Sequence, residues 1–189
     1  MPQFPPMPNW DALHPLIIHF PIALLLLSPL FVAISAVLPA PRGRPYMIAA
    51  ILVLLLGTAG MYVAMSTGKA AAEIAERENA VNAVLETHES LAMETEIVFS
   101  VLSVILLGMF LLPRVLRCRE TRLFSTLLPL TFLAFYSVGL VFLVNTAHAG
   151  GRMVHEFGVH ALIPAASGRA ASPVAESSAA NDDKHRPSR

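Results

Sequence analysis

The sequence is poor in cysteine, in charge and in compact catalytic motifs. Cys118 is the only cysteine, so no disulfide can form within the chain, and the CxxCH signature of covalent haem attachment is missing. There is no HExxH metal motif, nucleotide-binding loop, nucleophile elbow or catalytic triad, which favours a protein that is not an independent enzyme. The net charge is zero, so nothing indicates a nucleic-acid partner.

Apolar residues are what the sequence has in excess. Hydrophobic residues make up 55% of the 189 residues and charged residues only 14%, a composition that soluble domains rarely have. About 20 helical residues cross a hydrocarbon core of about 30 Å, and the flanking residues can complete a shorter window. The sequence therefore predicts four transmembrane helices in its uncharged windows, at residues 16–38, 46–65, 97–112 and 124–146.

The predicted fold class is all-α, an integral membrane four-helix bundle over residues 14–163. Between Lys69 and Glu96 the chain has neither glycine nor proline and is rich in Ala and Glu. This predicts a helical extension outside the membrane between spans two and three. Residues 1–13 contain four prolines and Trp10 and are expected to form an extended arm at the membrane surface. Residues 164–189 are expected to be a disordered tail.

The basic residues predict the orientation of the bundle. The two loops that follow spans one and three carry six arginines and one acidic residue, whereas the loop after span two carries seven glutamates against Lys69 and Arg77. Lys and Arg stay on the cytoplasmic side in short loops. We therefore expect a multi-pass protein of the bacterial inner (cytoplasmic) membrane with both termini on the periplasmic, outer side. No basic residue precedes Arg42, which argues against a cleaved signal peptide.

Most histidines of the chain converge on this outer side. His19 stands among apolar residues, where a neutral ring needs hydrogen-bond partners, and His88 lies centrally on an apolar stripe of its helix, where packing and ligation both remain open. Ionisable groups at membrane depth are candidates for function. The six histidines placed at the outer end are His14, His19, His88, His148, His155 and His160.

A pair of imidazoles from facing helices suits the axial positions of a b-type haem. We expect His19 to pair with His88 or His148, with His14 and His155 as the next candidates. Gly60 would leave room for the macrocycle, and Arg152 would pair with its propionates. The chain would then act in electron transfer, with the lipid bilayer and redox or membrane-complex proteins as partners.

Three other interpretations remain open from the residues. A zinc, copper or iron ion could be held by glutamates together with the outer histidines His19, His88, His148, His155 and His160. Without a cofactor, the chain could exchange protons through His and Glu, or it could be a non-catalytic accessory subunit of a larger membrane complex. Finally, Gly60, Ala64 and Gly68 recur every four residues, a spacing that favours close helix packing or an oligomer in place of a cofactor pocket.

Several segments resemble a known family. They are HPLIIHFPIALL, the TG of STGKAAAE, the His-Glu pair of ETHESLA, and AHAGGRMVH. From about Leu13 to His160 the chain resembles the bacterial membrane proteins of domain-of-unknown-function family 2231. The resemblance implies a four-span protein with redox or haem chemistry, and the family pattern falls on His14, His19, His88, Gly150, Gly151 and His155.

The chain departs from that family pattern near its end. Where relatives have a histidine followed by glycine, this sequence has Phe157 and Gly158. If that histidine is a ligand in the relatives, then His148, His155 or His160 would have to replace it here.

Overall fold

The computed structural model describes Trp10 and residues 13–75, 81–116 and 123–158. Within these ranges the chain is helical apart from short turns, and no strand occurs. The elements in order are α1 (His14–Ile17), α2 (His19–Val37), α3 (Ala40–Ala75), α4 (Asn82–Val115), a π-helical segment (Leu123–Leu127) and α5 (Leu128–His155). The predicted all-α fold is confirmed. The rest of the N-terminal arm, Cys118, His160 and the predicted tail lie outside the described residues.

Four helical stretches are long and apolar enough to cross a membrane, as predicted. They are His14–Val37, Pro41–Ala72, Asn82–Val115 and Ser125–His155. The first combines α1 and α2, which are separated only by Ile18 in a helical conformation (φ −60°, ψ −30°). Pro21 has no N–H to donate to the carbonyl of Ile17, which is where α1 ends.

A second proline in this span is compensated by a side chain from another helix. Pro29 lies inside α2, so the carbonyl of Leu25 four residues earlier receives no backbone hydrogen bond. The hydroxyl of Tyr136 on α5 donates to that carbonyl at 2.7 Å. A freed backbone carbonyl inside a membrane must find such a partner, and the bond therefore joins the first span to the last.

The helices extend beyond the apolar windows at one end of the bundle. α3 continues to Ala75 and α4 begins at Asn82, which confirms the predicted helical extension between spans two and three. Two adjacent glycines commonly end a helix, but α5 continues through Gly150 and Gly151 to His155. Two interior glycines lower helix stability by only about 1 kcal/mol each, and Gly150 is needed for a close contact described below.

The main core lies along the middle of the bundle. Tyr136 packs edge-on against Phe99, with ring centroids 5.4 Å apart and an interplanar angle of 75°, and it also contacts Phe132. A smaller apolar cluster closes one end of the bundle above this core, and we call it the cap cluster. It consists of Ala72, Val81 and Leu85 with Met153 and Phe157 packed against them.

The first and second halves of the bundle have the same internal register. In each half, buried residues of the first helix follow a histidine, His14 or His88, at the same distances of 7, 11, 14 and 18 residues. In the second helix of each half, two buried residues four positions apart are followed by a glycine three residues later. A second glycine comes eleven residues after the first. The equivalent sets are Pro21, Leu25, Ser28 and Val32 with Thr95, Phe99, Leu102 and Leu106, and Ala50, Leu54, Gly57 and Gly68 with Phe132, Tyr136, Gly139 and Gly150.

Contacts between the helices repeat in the same way. A methyl group at Gly57 would lie 2.9 Å from Leu25 and 3.2 Å from Leu24. One at Gly139 would lie within 3.4 Å of the residues equivalent to these two, Val98 and Phe99. The bundle is thus two similar helical hairpins that start and finish at the same membrane face, an arrangement typical of parallel repeats in membrane proteins. We call this face the histidine end.

Candidate histidine site at one end of the bundle

His14, at the start of α1, packs against α3. Its Nδ1 lies 2.9 Å from the carbonyl oxygen of Ala64 and 3.2 Å from the hydroxyl of Thr67. The ring covers Gly68, where a methyl group would lie only 3.0 Å from the imidazole Cε1. Thr67 is fully buried and donates to the carbonyl of Ala64 as well. The imidazole is therefore fixed between the first span and a glycine of the second.

His88, on α4, packs against α5 in the equivalent way. Its Nδ1 lies 3.0 Å from the carbonyl oxygen of Thr146, and its ring covers Gly150, where a methyl group would lie 3.1 Å from Cε1. The hydroxyl of Thr146 is 2.7 Å from that of the buried Thr95, seven residues beyond His88. In both halves, then, a histidine ring covers a glycine and bonds to the carbonyl four residues before that glycine.

This geometry fixes which nitrogen carries the proton in each neutral ring. A carbonyl oxygen only accepts hydrogen bonds, so Nδ1 of His14 and of His88 must be the donor. With the proton on Nδ1, the lone pair of the ring is on Nε2. Neither Nε2 has a hydrogen-bond partner among the described residues. Histidines that bind metals are commonly oriented through an Nδ1–H bond to a main-chain carbonyl.

The two histidines occupy equivalent places at the same end of the bundle. Each lies near the start of the first helix of its hairpin, and both are partly buried. The cap cluster is built from residues within about two turns of the two glycines and of His88: Ala72 follows Gly68, Met153 and Phe157 follow Gly150, and Val81 and Leu85 precede His88. It covers the histidine end with apolar side chains, and the site therefore lies between the cap cluster and the main core.

The other histidines of the described chain have different surroundings. His19 is exposed, and its Nδ1 bonds to the carbonyl of Pro15 on its own span at 2.7 Å. His148 and His155 are exposed on α5. Of the described histidines, only His14 and His88 are thus partly buried and packed against a second helix, whereas His19, the first choice from the sequence, is exposed. His160 lies outside the described residues.

Arg152, expected to bind a propionate, forms an ion pair on its own helix. Its Nη2 is 2.9 Å from Oε2 of Glu156, and its Nε donates to both carboxylate oxygens at 3.0 and 3.1 Å. This hydrogen bond, with the charge of Arg152, lowers the pKa of Glu156 below its usual value. A propionate at this position would have to compete with Glu156 for the guanidinium.

Gly60, expected to make room for a macrocycle, is a helix contact. A methyl group there would lie 3.2 Å from Pro21 and 3.5 Å from Phe20 of α2. The alternative prediction, close helix packing along Gly60, Ala64 and Gly68, describes these contacts, although Gly68 contacts a histidine ring. No group of three or more His, Cys, Asp or Glu side chains with the spacing of a metal site occurs in the described part of the chain.

A family model for predicted membrane proteins matches residues 10–162 of the chain. The chain belongs to the DUF2231 family. Comparisons with curated proteins and with solved structures gave no match. The family match includes all four spans and both pairs of a histidine with the glycine that it covers. These residues of the DUF2231 protein therefore lie within the region that the family model matches.

Sequence reasoning missed the glycines that the histidines cover. Spacing alone predicts a packing role for Gly68, and a pair of adjacent glycines predicts a helix end at Gly150. A signal was present in the equal separation, eleven residues, of Gly57 from Gly68 and of Gly139 from Gly150. Comparison of the two halves in that register would have selected His14 and His88.

Proposed function

We propose that this DUF2231 protein binds a b-type haem at the histidine end, that His14 and His88 would hold its iron, and that the protein carries electrons and is not an independent enzyme. The observation behind the proposal is the matched pair of imidazoles. Each one donates from Nδ1 to a main-chain carbonyl and has Nε2 without a partner among the described residues.

The donor set fits that cofactor better than it fits a bare metal ion. Two neutral imidazoles from facing helices are the complement of a low-spin haem in a membrane bundle. A zinc or copper site needs three or four protein ligands, and the described residues contain no such group. The pair also favours His14 over His19, because the exposed ring of His19 is bonded to its own span.

The protein's own residues would orient the ligands and limit access of water. The carbonyls of Ala64 and Thr146 hold the rings in the Nδ1–H tautomer, and Gly68 and Gly150 allow each ring to lie against a helix backbone. The cap cluster lowers the polarity above the site. A bound haem would supply a centre that gains and loses a single electron.

We further propose that the histidine end faces the outside of the bacterial inner membrane. The arginine-rich loops, at the opposite end, supply the support for this orientation. Cys118, the only cysteine, belongs to one of these loops, so a membrane-impermeant maleimide should label it in inverted vesicles and not in spheroplasts. Labelling in spheroplasts alone would reverse the orientation.

The ligand assignment is tested by purifying the full chain from cells supplied with haem and measuring the haem retained by single variants. His14→Ala and His88→Ala should each lose most of the bound haem, and added imidazole should restore part of it. His19→Ala and His155→Ala are matched controls that should retain it. Circular dichroism of the same samples separates loss of a ligand from loss of the fold. Loss of haem in His19→Ala, with retention in His14→Ala, would refute the assignment.

A further inference from the structure

A line of polar side chains runs between α3 and α4 below the histidine site. Thr58 and Ser103 share a hydrogen bond of 2.9 Å between their hydroxyls, and Tyr62 and Ser100 share another of 2.9 Å. Ser100 and Ser103 follow Glu96 by four and seven residues, so all three occupy one face of α4. We call these five residues the polar seam, and Glu96 is its member nearest to the histidine end.

Glu96 has an acceptor atom that nothing in the described chain satisfies. Its Oε2 is buried and has no hydrogen-bond partner, and the residue forms no salt bridge with any described residue. It stands at the start of the uncharged stretch 97–112, eight residues or about two turns beyond His88. An acidic side chain in this position is expensive to maintain in a membrane and is a candidate for function.

The polar seam is present at only one of the two equivalent contacts between the hairpins. In the shared register, the positions equivalent to Glu96, Ser100 and Ser103 on α2, and to Thr58 and Tyr62 on α5, hold apolar residues. They are Ile22, Leu26, Pro29, Leu140 and Val144. The contact between α2 and α5 therefore forms without polar groups at these positions, and packing alone does not require Glu96.

The titratable groups around Glu96 leave it without a fixed counter-charge. The elements packed against α4 are α3 and α5. At and above the depth of Glu96 they carry Tyr62 and Lys69 on α3, and His148, Arg152 and His155 on α5, while α4 itself carries Glu86, His88, Glu89 and Glu94. Deeper in the bundle, Tyr136 is committed to the carbonyl of Leu25. None of these groups is bonded to Oε2 of Glu96, and Arg152 is paired with Glu156.

We propose that Glu96 is the proton-exchange group of the histidine site, an inference that rests on the proposed electron-transfer function. When an electron arrives at the site, one proton from the water at the histidine end binds a carboxylate oxygen of Glu96. When the electron leaves, that proton returns to water. No other bond changes, and the negative charge of the electron is what stabilises the proton, by reciprocal linkage between the two binding events.

The experiment measures the midpoint potential of the haem-loaded full chain between about pH 5 and about pH 9, a range that brackets carboxyl and imidazole titration. In the unmodified protein the potential should fall as the pH rises. Glu96→Gln should abolish most of this dependence, whereas Glu94→Gln, an exposed neighbour on the same helix, should leave it unchanged. Glu96→Asp keeps a carboxyl group and should retain the dependence.

A second readout identifies the group directly. The reduced-minus-oxidised infrared spectrum should contain a protonated-carboxyl band that is absent in Glu96→Gln and shifted in Glu96→Asp. An unchanged pH dependence in Glu96→Gln, or a band that persists in it, would overturn the inference and leave the haem assignment intact. A chain that binds no haem at all would instead show that the proposed function has failed.

Discussion

The hydrogen bond from Tyr136 to the carbonyl of Leu25 should stabilise the bundle because Pro29 cannot supply the bond from within α2. Tyr136→Phe removes the hydroxyl and leaves the aromatic contacts with Phe99 and Phe132 in place. The carbonyl of Leu25 would then be buried without a donor, at a cost of about 1–3 kcal/mol in proteins generally. Hydrogen bonds between membrane helices average about 0.6 and reach about 1.7 kcal/mol, so we expect a loss of about 1 kcal/mol in the free energy of unfolding.

A double-mutant cycle with Pro29→Ala separates the energy of this hydrogen bond from other effects of changing Tyr136. Alanine at position 29 restores a backbone N–H that can bond to the carbonyl of Leu25, because the two residues are four apart in the helix. In that background Tyr136→Phe should destabilise the protein by less than about 0.5 kcal/mol. The difference from the loss in the wild type is the coupling between the two positions, and residues in contact commonly show a coupling of about 0.5 kcal/mol or more. Tyr62→Phe is a suitable control, since the hydroxyl of Tyr62 is exposed and Ser100 also bonds to the carbonyl of Glu96.

The free energy of unfolding can be measured by steric trapping or by denaturant titration in bicelles for the wild type, both single variants and the double variant. If Tyr136→Phe lowers the free energy of unfolding equally in the wild-type and Pro29→Ala backgrounds, this explanation is refuted. The energy of the bond would then be independent of the missing backbone donor. A negligible loss in the wild-type background would show that the carbonyl of Leu25 finds another donor.

Two further predictions concern the histidine end. Gly150→Ala would place a methyl group 3.1 Å from His88 and should reduce haem retention several-fold. Gly151→Ala, where a methyl group would meet nothing within 4 Å, is the control and should retain the haem. Equal haem retention in the two variants would exclude a role for the glycine beneath the ring. Arg152→Gln should raise the titration midpoint of Glu156, measured by carboxyl carbon NMR, because Arg152 holds the pKa of Glu156 down. Since that pKa is lowered on folding, any stability from the pair is present above the unfolded pKa of Glu156 and is lost as the pH falls through the folded one. A midpoint unmoved by Arg152→Gln would contradict this cause.

The membrane spans could be predicted from sequence because they depend on the length and apolarity of each window, which do not require tertiary contacts. The gathering of the histidines at one end followed from the same topology. The helical extension followed from the Ala- and Glu-rich composition after Lys69. These features are local in the chain, and the structure agrees with them.

The choice among the histidines could not be made in that way. His14 and His19 are five residues apart, which places them about 140° apart around a helix at about 100° per residue, so only one of them can face the bundle. In a membrane span both the inward and the lipid-facing sides are apolar. The pattern of hydrophobic residues therefore does not show how the helix is rotated about its own axis. The contact of His14 with Gly68 decides it, and that contact joins residues far apart in sequence.

The end of α5 shows a second limit. A pair of glycines usually marks a helix C-terminus, yet Gly150 lies in the helix interior because the ring of His88 occupies the space where a side chain would be. The reason is on another helix, and the local sequence does not contain it.

The most direct test of the central claim is the absorption spectrum of the purified full chain, oxidised and then reduced with dithionite, with iron measured on the same sample. We predict a sharp α-band in the reduced state, iron in stoichiometric amount, and a low-spin signal from two imidazole ligands. A colourless, iron-free protein from cells well supplied with haem would contradict it.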